Sequence, residues 1–329
     1  MNQQEIDEKY MHRCLQLAAN GRQNARPNPM VGAVIVVPVT IHQEFSAHQS
    51  PPATYRIIGE GYHVRCGEGH AEVNAFASVL PENEALLKDA TIYVSLEPCS
   101  HYGKTPPCAD LIIRKGVRRC VVGTIDPFAE VQGRGIRKLR EAGIEVTVGV
   151  LERECQWLNR RFFTFHREHR PYIILKWAQS ADGFIDHDFQ PTQISNNVTQ
   201  MLSHKLRAEE DAILVGHTTY DREHPQLTVR HWTGPDPKRL VLTRDRPLPL
   251  LMDDLYQHGI QSLIVEGGAK THQSFLDLAL WDELRVETAP VSLGSGTRSV
   301  SIPAGAQLFS VNHYGANTLT IYVRDSKQP

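Results

Sequence analysis

The sequence predicts an α/β protein of two domains, and three observations predict it. The chain has 329 residues, and at roughly 100–200 residues per domain that length calls for two hydrophobic cores. Short apolar runs rich in Val and Ile alternate with segments of helical period up to about position 150, the pattern of a sheet covered by helices. After a charged and aromatic stretch that ends at Pro171, the alternation begins again.

In the first half, residues 5–20 read as an amphipathic helix, with Tyr10, Cys14, Leu17 and Ala18 on one face and Gly21 as its stop. A buried strand is expected at 31–37. The polar, Pro-containing stretch 38–55 reads as a long hairpin loop inserted before a strand at 56–62. A helix at 70–80, a strand at 91–96, a Pro-rich loop, a helix at 107–115 and a strand at 118–124 follow. A helix at 135–142, stopped by Gly143, and a strand at 145–150 complete a three-layer domain. Residues 151–170 form the connector, helical in part. In the second half strands are expected at 172–178, 212–215, 239–242, 262–265 and 283–288, and helices at 196–208, 253–258 and 270–278. No internal repeat relates the halves, so they are expected to do different things.

Composition narrows the function classes. Hydrophobic residues make up 41% and charged residues 22%, with 35 basic against 37 acidic side chains and a net charge of −2. No basic field calls for nucleic acid, so an anionic ligand must be caught by local groups. The opening residues, Met1 to Tyr10, are polar and acidic, unlike a secretion signal. The longest apolar run, Val31 to Val37, is far short of the ~20 residues that span a bilayer. A cytoplasmic protein with six reduced cysteines is expected.

Two of those cysteines carry chemistry. His70 and Glu72 open a predicted helix, Cys99 follows Glu72 by 27 residues, and Cys108 opens another helix. One imidazole and two thiolates suit zinc and leave a fourth tetrahedral position for water, whose pKa the metal lowers from ~15.7 to about 7. Glu72 is too close to His70 to be a convenient further ligand, yet near enough to take a proton from that water and return it to a leaving amine. A His-x-Glu followed by Pro-Cys and a second Cys is the pattern of zinc deaminases. A structural zinc knuckle would need a fourth ligand; His101 could serve, but Glu72 would then have no explanation.

Deaminases of this kind commonly space the two cysteines as Cys-x-x-Cys, whereas here eight residues separate them. The intervening loop, with His101 and Lys104, together with Pro27-Asn28-Pro29 and the stretch Gly59 to His63, resembles the bifunctional riboflavin-biosynthesis deaminase/reductase family. That resemblance implies a cytidine-deaminase-like first domain over 1–150. Its substrate would be 2,5-diamino-6-(5-phosphoribosylamino)pyrimidin-4(3H)-one, which loses its 2-amino group as ammonia. Asn28, His101 and Lys104 would hold the base and phosphate, chemistry that suits a short amide and a point charge.

The second half, 171–329, resembles the reductase domain of the same family, which implies a dihydrofolate-reductase-like fold and NADPH. No GxGxxG follows any strand; instead Gly267 and Gly268 follow one and precede a helix, where a diphosphate can approach the backbone. Thr243 and Arg244 read as a clamp for a 2′-phosphate. By resemblance, Lys176, Arg207, Leu227, Arg230 and Glu266 bind the deaminated substrate. Gln179, Gln193, Thr219, Glu223, Thr243, Arg244, Gly267, Gly268, Ala269, Lys270 and Thr271 bind the cofactor. The implied step is hydride transfer to the ribosyl carbon, giving a ribityl chain. The sequence departs from the family at Pro191 to Ile194, at Glu223 and at Ala181, which leaves a second half without reductase activity as an open alternative. A zinc deaminase of another nucleobase is the other; one acting on nucleic acid predicts a basic face and stacking aromatics, against a net charge of −2 and 7% aromatic residues. The resemblance also implies a homo-oligomer, with neither nucleic acid nor membrane as partner.

Overall fold

The computed structural model describes residues 2–39, 54–101, 106–128 and 132–324. The chain divides into two compact units, the boundary falling between Phe163 and Thr164.

The first unit opens with α1 (Gln3–Ala18), started by a capping box in which Asn2 and Glu5 each accept the other's backbone N–H at 2.9 Å. Then come β1 (Gly32–Val39), β2 (Thr54–Tyr62), α2 (Ala71–Ala77), a 3-10 segment (Pro81–Asp89) and β3 (Thr91–Leu96). The unit continues with α3 (Cys108–Lys115), β4 (Arg119–Thr124), α4 (Arg134–Glu141), β5 (Glu145–Val148) and α5 (Glu152–Leu158). The sheet order is β2-β1-β3-β4-β5, antiparallel up to β3 and parallel beyond it. Alternation sorts the strands' side chains into two cores. Ala33, Ile35, Ile92, Val94, Cys120 and Val122 pack with α2, α3 and α4 on one face. Val34, Val36, Tyr93 and Val121 pack with Met11 and Cys14 of α1 and Cys155 of α5 on the other. These are the three layers expected from the alternation. Leu17 of the expected apolar face is only partly buried, while Ile6, Asp7 and Met11 are buried with Tyr10 and Cys14. Asp7 is tolerated there because Arg119 donates to both its oxygens at 2.8 Å and Tyr93 Oη adds a third bond. Residues 40–53 of the expected insertion lie outside the described residues; β1 and β2 pair as far as Val39 with Thr54.

The second unit begins within α6 (Arg160–Glu168). It then runs β6 (Tyr172–Gln179), α7 (Asn197–Glu209), β7 (Ala212–Gly216), α8 (His217–Glu223), β8 (Lys238–Leu242), α9 (Leu248–Gln257) and β9 (Ser262–Val265). α10 (Ala269–Asp277), β10 (Glu283–Thr288), β11 (Ala306–Tyr314) and β12 (Asn317–Arg324) complete it. The sheet order is β11-β12-β10-β6-β9-β7-β8, with the five strands from β10 to β8 parallel. Ile173 and Leu175 face one core, with α9 and α10 residues, and Tyr172 and Ile174 face the other, with Leu206 of α7. The carboxyl ends of β6, β7, β8 and β9 therefore lie along one edge, where open α/β sheets bind their ligands.

Three features differ from the sequence expectation. α9 starts at Leu248 rather than 253, because Pro247 and Pro249 sit at its N-cap and first turn, where a missing N–H costs nothing. α8 is a helix where the sequence pattern placed none. The hairpin of β11 and β12 was not expected at all; in β11 Leu308, Phe309 and Val311 are exposed, while Val323 of β12 is buried and Ala306 and Tyr322 pack against the core. Among the described residues no helix is long and apolar enough to cross a membrane.

Candidate active sites of the two units

In the first unit three elements bring the metal-type side chains together. His70 is the N-cap of α2, Cys99 lies just beyond the end of β3, and Cys108 is the first residue of α3. His70 Nδ1 stands 3.6 Å from Cys99 Sγ and 3.4 Å from Cys108 Sγ, and all three ligand atoms lie within 4.8 Å of one another. A tetrahedral ion with Zn–N of about 2.0–2.1 Å and Zn–S of about 2.3 Å separates such donors by roughly 3.6 Å, so the residues fit zinc. Among the described residues this is the only His, Cys, Asp and Glu cluster of that kind.

The electrostatics agree with a thiolate-rich centre. Hydrogen bonding from the Cys108 thiol, then from His70 and from the Cys108 backbone N–H at 3.3 Å, pushes the Cys99 thiol down to about 4. Cys108, sharing its proton with Cys99 in a buried setting, is raised. Glu72, one helical position past α2's first residue, is only 3% exposed, and burial followed by the Cys99 charge pushes its carboxyl up to about 7. A carboxyl poised near neutrality can both accept and return a proton.

Asn28 reaches this centre through a residue to which the sequence reading gave no role. Its Nδ2 lies 3.2 Å from Nε2 of His63, whose Nδ1 lies 3.2 Å from the Gly69 carbonyl and whose ring stands edge-on to that of His70 at 5.3 Å. His63 is 2% exposed. It closes the stretch Gly59 to His63 that carries part of the resemblance, but the sequence attaches no chemistry to it. His101, two residues beyond Cys99, is exposed, its ring edge-on to Phe128 at 6.5 Å. Nearby Asp126 accepts from the Phe128 N–H at 2.8 Å, and burial pushes it up to about 6. Lys104 lies outside the described residues.

In the second unit Arg207 and Glu266, expected to hold substrate separately, are paired with each other. Arg207 Nη2 meets Glu266 Oε2 at 2.6 Å, and Nη1 donates to the Thr228 carbonyl at 3.2 Å. Burial raises the Glu266 carboxyl, but Lys176 and Arg207 outweigh it and hold it below the ordinary value. Lys176, Arg207 and Glu266 therefore form one electrostatic group. Arg230 is exposed, with Nη1 on Gln226 at 2.5 Å and on Thr228 Oγ1 at 3.3 Å. Its backbone N–H donates to Nδ1 of the buried His204, a second histidine to which the sequence attaches no chemistry. Leu227 adopts a φ of 54°, and its side chain belongs to the apolar core with Tyr172, Ile174 and Leu206. Only its backbone is left to touch a ligand.

The expected cofactor residues separate into a cradle and outliers. A Cβ at Gly216 would meet Thr271 Oγ1 at 2.2 Å, one at Gly267 the Val215 Cβ at 2.8 Å, and one at Gly268 the Thr219 Oγ1 at 3.0 Å. The ends of β7 and β9 and the starts of α8 and α10 thus meet around backbone too close for side chains, with Ala269 and the exposed Lys270 opening α10. Thr243 and the exposed Arg244 follow β8. Gln179 accepts from Trp177 Nε1 at 2.9 Å. It alone of the expected residues lines a cavity of about 460 Å³ with Gly183, Thr288, Arg298 and Tyr322. Gln193, on the loop before α7, bonds the Ser195 carbonyl, and Glu223 ends α8 exposed; among the described residues neither hydrogen-bonds to the cradle.

Comparison with known proteins covers both units. The model of the cytidine and deoxycytidylate deaminase zinc-binding region matches residues 4–124, and that of the RibD C-terminal domain matches 171–253 and 247–318. Riboflavin biosynthesis protein RibD of Aquifex aeolicus is 37% identical over 337 residues, 89% of each chain. That of Escherichia coli is 34% identical over 359 residues, 92% of each. The crystal structure of a diaminohydroxyphosphoribosylaminopyrimidine deaminase/5-amino-6-(5-phosphoribosylamino)uracil reductase from Thermotoga maritima superposes with a TM-score of 0.85 at 31% identity. That superposition covers 98% of this chain and 100% of the other.

Proposed function

The chain belongs to the RibD family of bifunctional riboflavin-biosynthesis deaminase/reductases, and from that premise we propose which of its residues perform each step. It deaminates 2,5-diamino-6-(5-phosphoribosylamino)pyrimidin-4(3H)-one and reduces the ribosyl side chain of the product, with zinc and NADPH as cofactors. The deaminase is assigned to residues 1–150 and the reductase to 171–329, joined by 151–170.

His70, Cys99 and Cys108 would hold the zinc, which when bound would supply a water acidified to near neutral pH. Glu72, buried beside these ligands, would take a proton on its carboxylate and return it to the departing amine. Asn28 reads the edge of the ring, while His101 and Lys104 receive its phosphorylated arm. The observation that carries this reading is the convergence of His70 Nδ1 and the two sulfurs beside the buried carboxyl of Glu72.

In the second half NADPH, when bound, would supply the hydride for the ribosyl carbon. Its diphosphate suits the cradle of Gly216, Thr219, Gly267, Gly268 and Thr271, with Ala269 and Lys270 at the helix start. Thr243 and Arg244 suit a 2′-phosphate, and Gln179, Gln193 and Glu223 complete the cofactor assignment. Arg230 and the Lys176–Arg207–Glu266 group bind the sugar phosphate, with Leu227 contributing backbone. We assign the protein to the cytoplasm as a homo-oligomer that engages neither nucleic acid nor membrane.

The test follows ammonia release and NADPH absorbance together on zinc-loaded protein given the diaminopyrimidinone substrate. Both signals are expected. Ammonia without NADPH oxidation would overturn the reductase assignment, and neither signal would overturn both.

A further inference from the structure

Glu97 is a buried carboxylate for which the deamination chemistry has no use. It follows β3 directly, is 3% exposed, and its own N–H donates to the Thr124 carbonyl at 2.9 Å, extending the pairing with β4. No ion pair joins it to a described cation. Four backbone N–H groups satisfy it instead. Oε1 accepts from Gly135 at 2.9 Å and Ile136 at 3.2 Å, and Oε2 from Gly133 at 2.9 Å and Asp126 at 3.3 Å.

Three of those donors are the start of α4. That helix has no side-chain cap of its own and no acidic residue in its first turn, so Glu97 caps it from a distant strand end. The fit is close enough to exclude a side chain: a Cβ at Gly135 would meet the Pro98 carbonyl oxygen at 2.0 Å. The Glu97–Pro98 peptide is thus gripped by α4 immediately before Cys99. On the other side of Cys99, Ala109 N–H donates to its carbonyl at 3.1 Å and Cys108 N–H to its sulfur at 3.3 Å.

From this geometry we infer that Glu97 is a positioning residue for the metal ligand Cys99, fixing through the α4 clamp where that sulfur stands relative to His70 and Cys108. The inference rests on reading His70, Cys99 and Cys108 as the zinc ligands. Glu97→Gln preserves volume but turns one accepting oxygen into an NH₂ group that faces N–H donors, releasing either the Gly135–Ile136 pair or the Gly133–Asp126 pair. Gly135→Ala attacks the same clamp from the helix side.

Zinc affinity is measured on the full-length protein by competition with a chromophoric chelator, and the cobalt-substituted protein is read by its thiolate charge-transfer bands. Urea unfolding of the apoprotein serves as the control. In both variants we expect at least tenfold weaker zinc binding and shifted cobalt bands in an apoprotein that still folds and unfolds cooperatively. Parent-like affinity and bands in a folded Glu97→Gln would overturn the inference. If Glu97→Gln does not fold in its first half, Gly135→Ala decides by the same criteria. Unfolding of both also overturns it, because Glu97 would then be holding the fold and not the ligand. Failure of the ligand reading itself is separate: the parent would then bind no zinc, or Cys108→Ser would bind it unchanged.

Discussion

Asn28 donates from Nδ2 to Nε2 of His63 across 3.2 Å, and that contact decides which way the Asn28 amide points. The Gly69 carbonyl can only accept, so Nδ1 of His63 carries the proton; burial holds the ring's pKa below its ordinary value, so Nε2 is bare. Asn28 must therefore turn its NH₂ toward His63, which leaves Oδ1 to accept from a ring N–H or amine.

His63→Ala frees that amide to flip. Deaminase kcat/KM is expected to fall by about one to two orders of magnitude, the loss of an oriented hydrogen bond worth roughly 1.5–3 kcal/mol in a buried site. Reductase kinetics on the deaminated intermediate should stay unchanged. Steady-state assays of the two steps check this, and an unaltered deaminase would remove His63 from the site.

Glu72→Gln removes the proton carrier and leaves the three ligand side chains intact. Zinc content by atomic emission should equal that of the parent, while the rate of ammonia release falls roughly 100- to 10,000-fold. Loss of zinc along with activity would instead make Glu72 a support of the metal centre.

Metal removal should separate the two activities. Prolonged chelation is expected to abolish ammonia release and leave NADPH oxidation on the deaminated intermediate at its starting rate, since the ligands all belong to the first unit. Zinc added back should restore deamination. Parallel loss of both activities would contradict the assignment of one centre to each unit.

Gly216→Ala places a methyl group 2.2 Å from Thr271 Oγ1. Crowding of this size costs about 1–3 kcal/mol, so NADPH binding followed by fluorescence should weaken by roughly an order of magnitude. Adding Thr271→Ala removes the oxygen in the way. If the two changes are coupled, the double variant binds more tightly than the product of the single effects requires.

The second unit should lose stability in mild acid. His204 accepts the Arg230 N–H, and burial, with Arg207 and Arg230 nearby, pushes it down to about 4. The unfolded chain takes up this proton near pH 6.5, the folded chain only near 4. Stability therefore rises with pH across that window, is fully present above about 6.5, and is lost progressively toward 4. In His204→Gln, urea unfolding between pH 4 and 7 should show a slope smaller by about one proton. Equal slopes would rule out His204 as the source.

Much of this molecule can be read from its sequence, for physical reasons that also mark where reading stops. The central strands, such as residues 91–96 and 212–215, are short apolar runs between helical segments and carry their own signal. The candidate metal cluster was legible because zinc chemistry demands particular side chains, and a His-x-Glu followed by Pro-Cys has few other uses. The roles of His63, although it closes a stretch of family resemblance, and of His204 were not, since each comes only from partners 35 and 26 residues away. The Arg207–Glu266 bond spans 59 residues, and nothing local to either side chain announces it. The β11–β12 hairpin escaped on its first strand because the adjacent Leu308 and Phe309 break the two-residue period, although Leu319, Ile321 and Val323 of β12 keep it.

The strand order has a consequence for how the chain is made. β9 lies between β6 and β7, so those two strands, although earlier in sequence, have no common neighbour until residues 262–265 have been synthesised. The glycine cradle needs β9 and α10 as well, whereas His70, Cys99 and Cys108 belong to a unit that ends near Phe163. On a ribosome that adds about 5–20 residues per second, the metal centre can close several seconds before the nucleotide cradle exists. The nascent polypeptide would then pass through a stage in which one catalyst is finished and the other has not been translated.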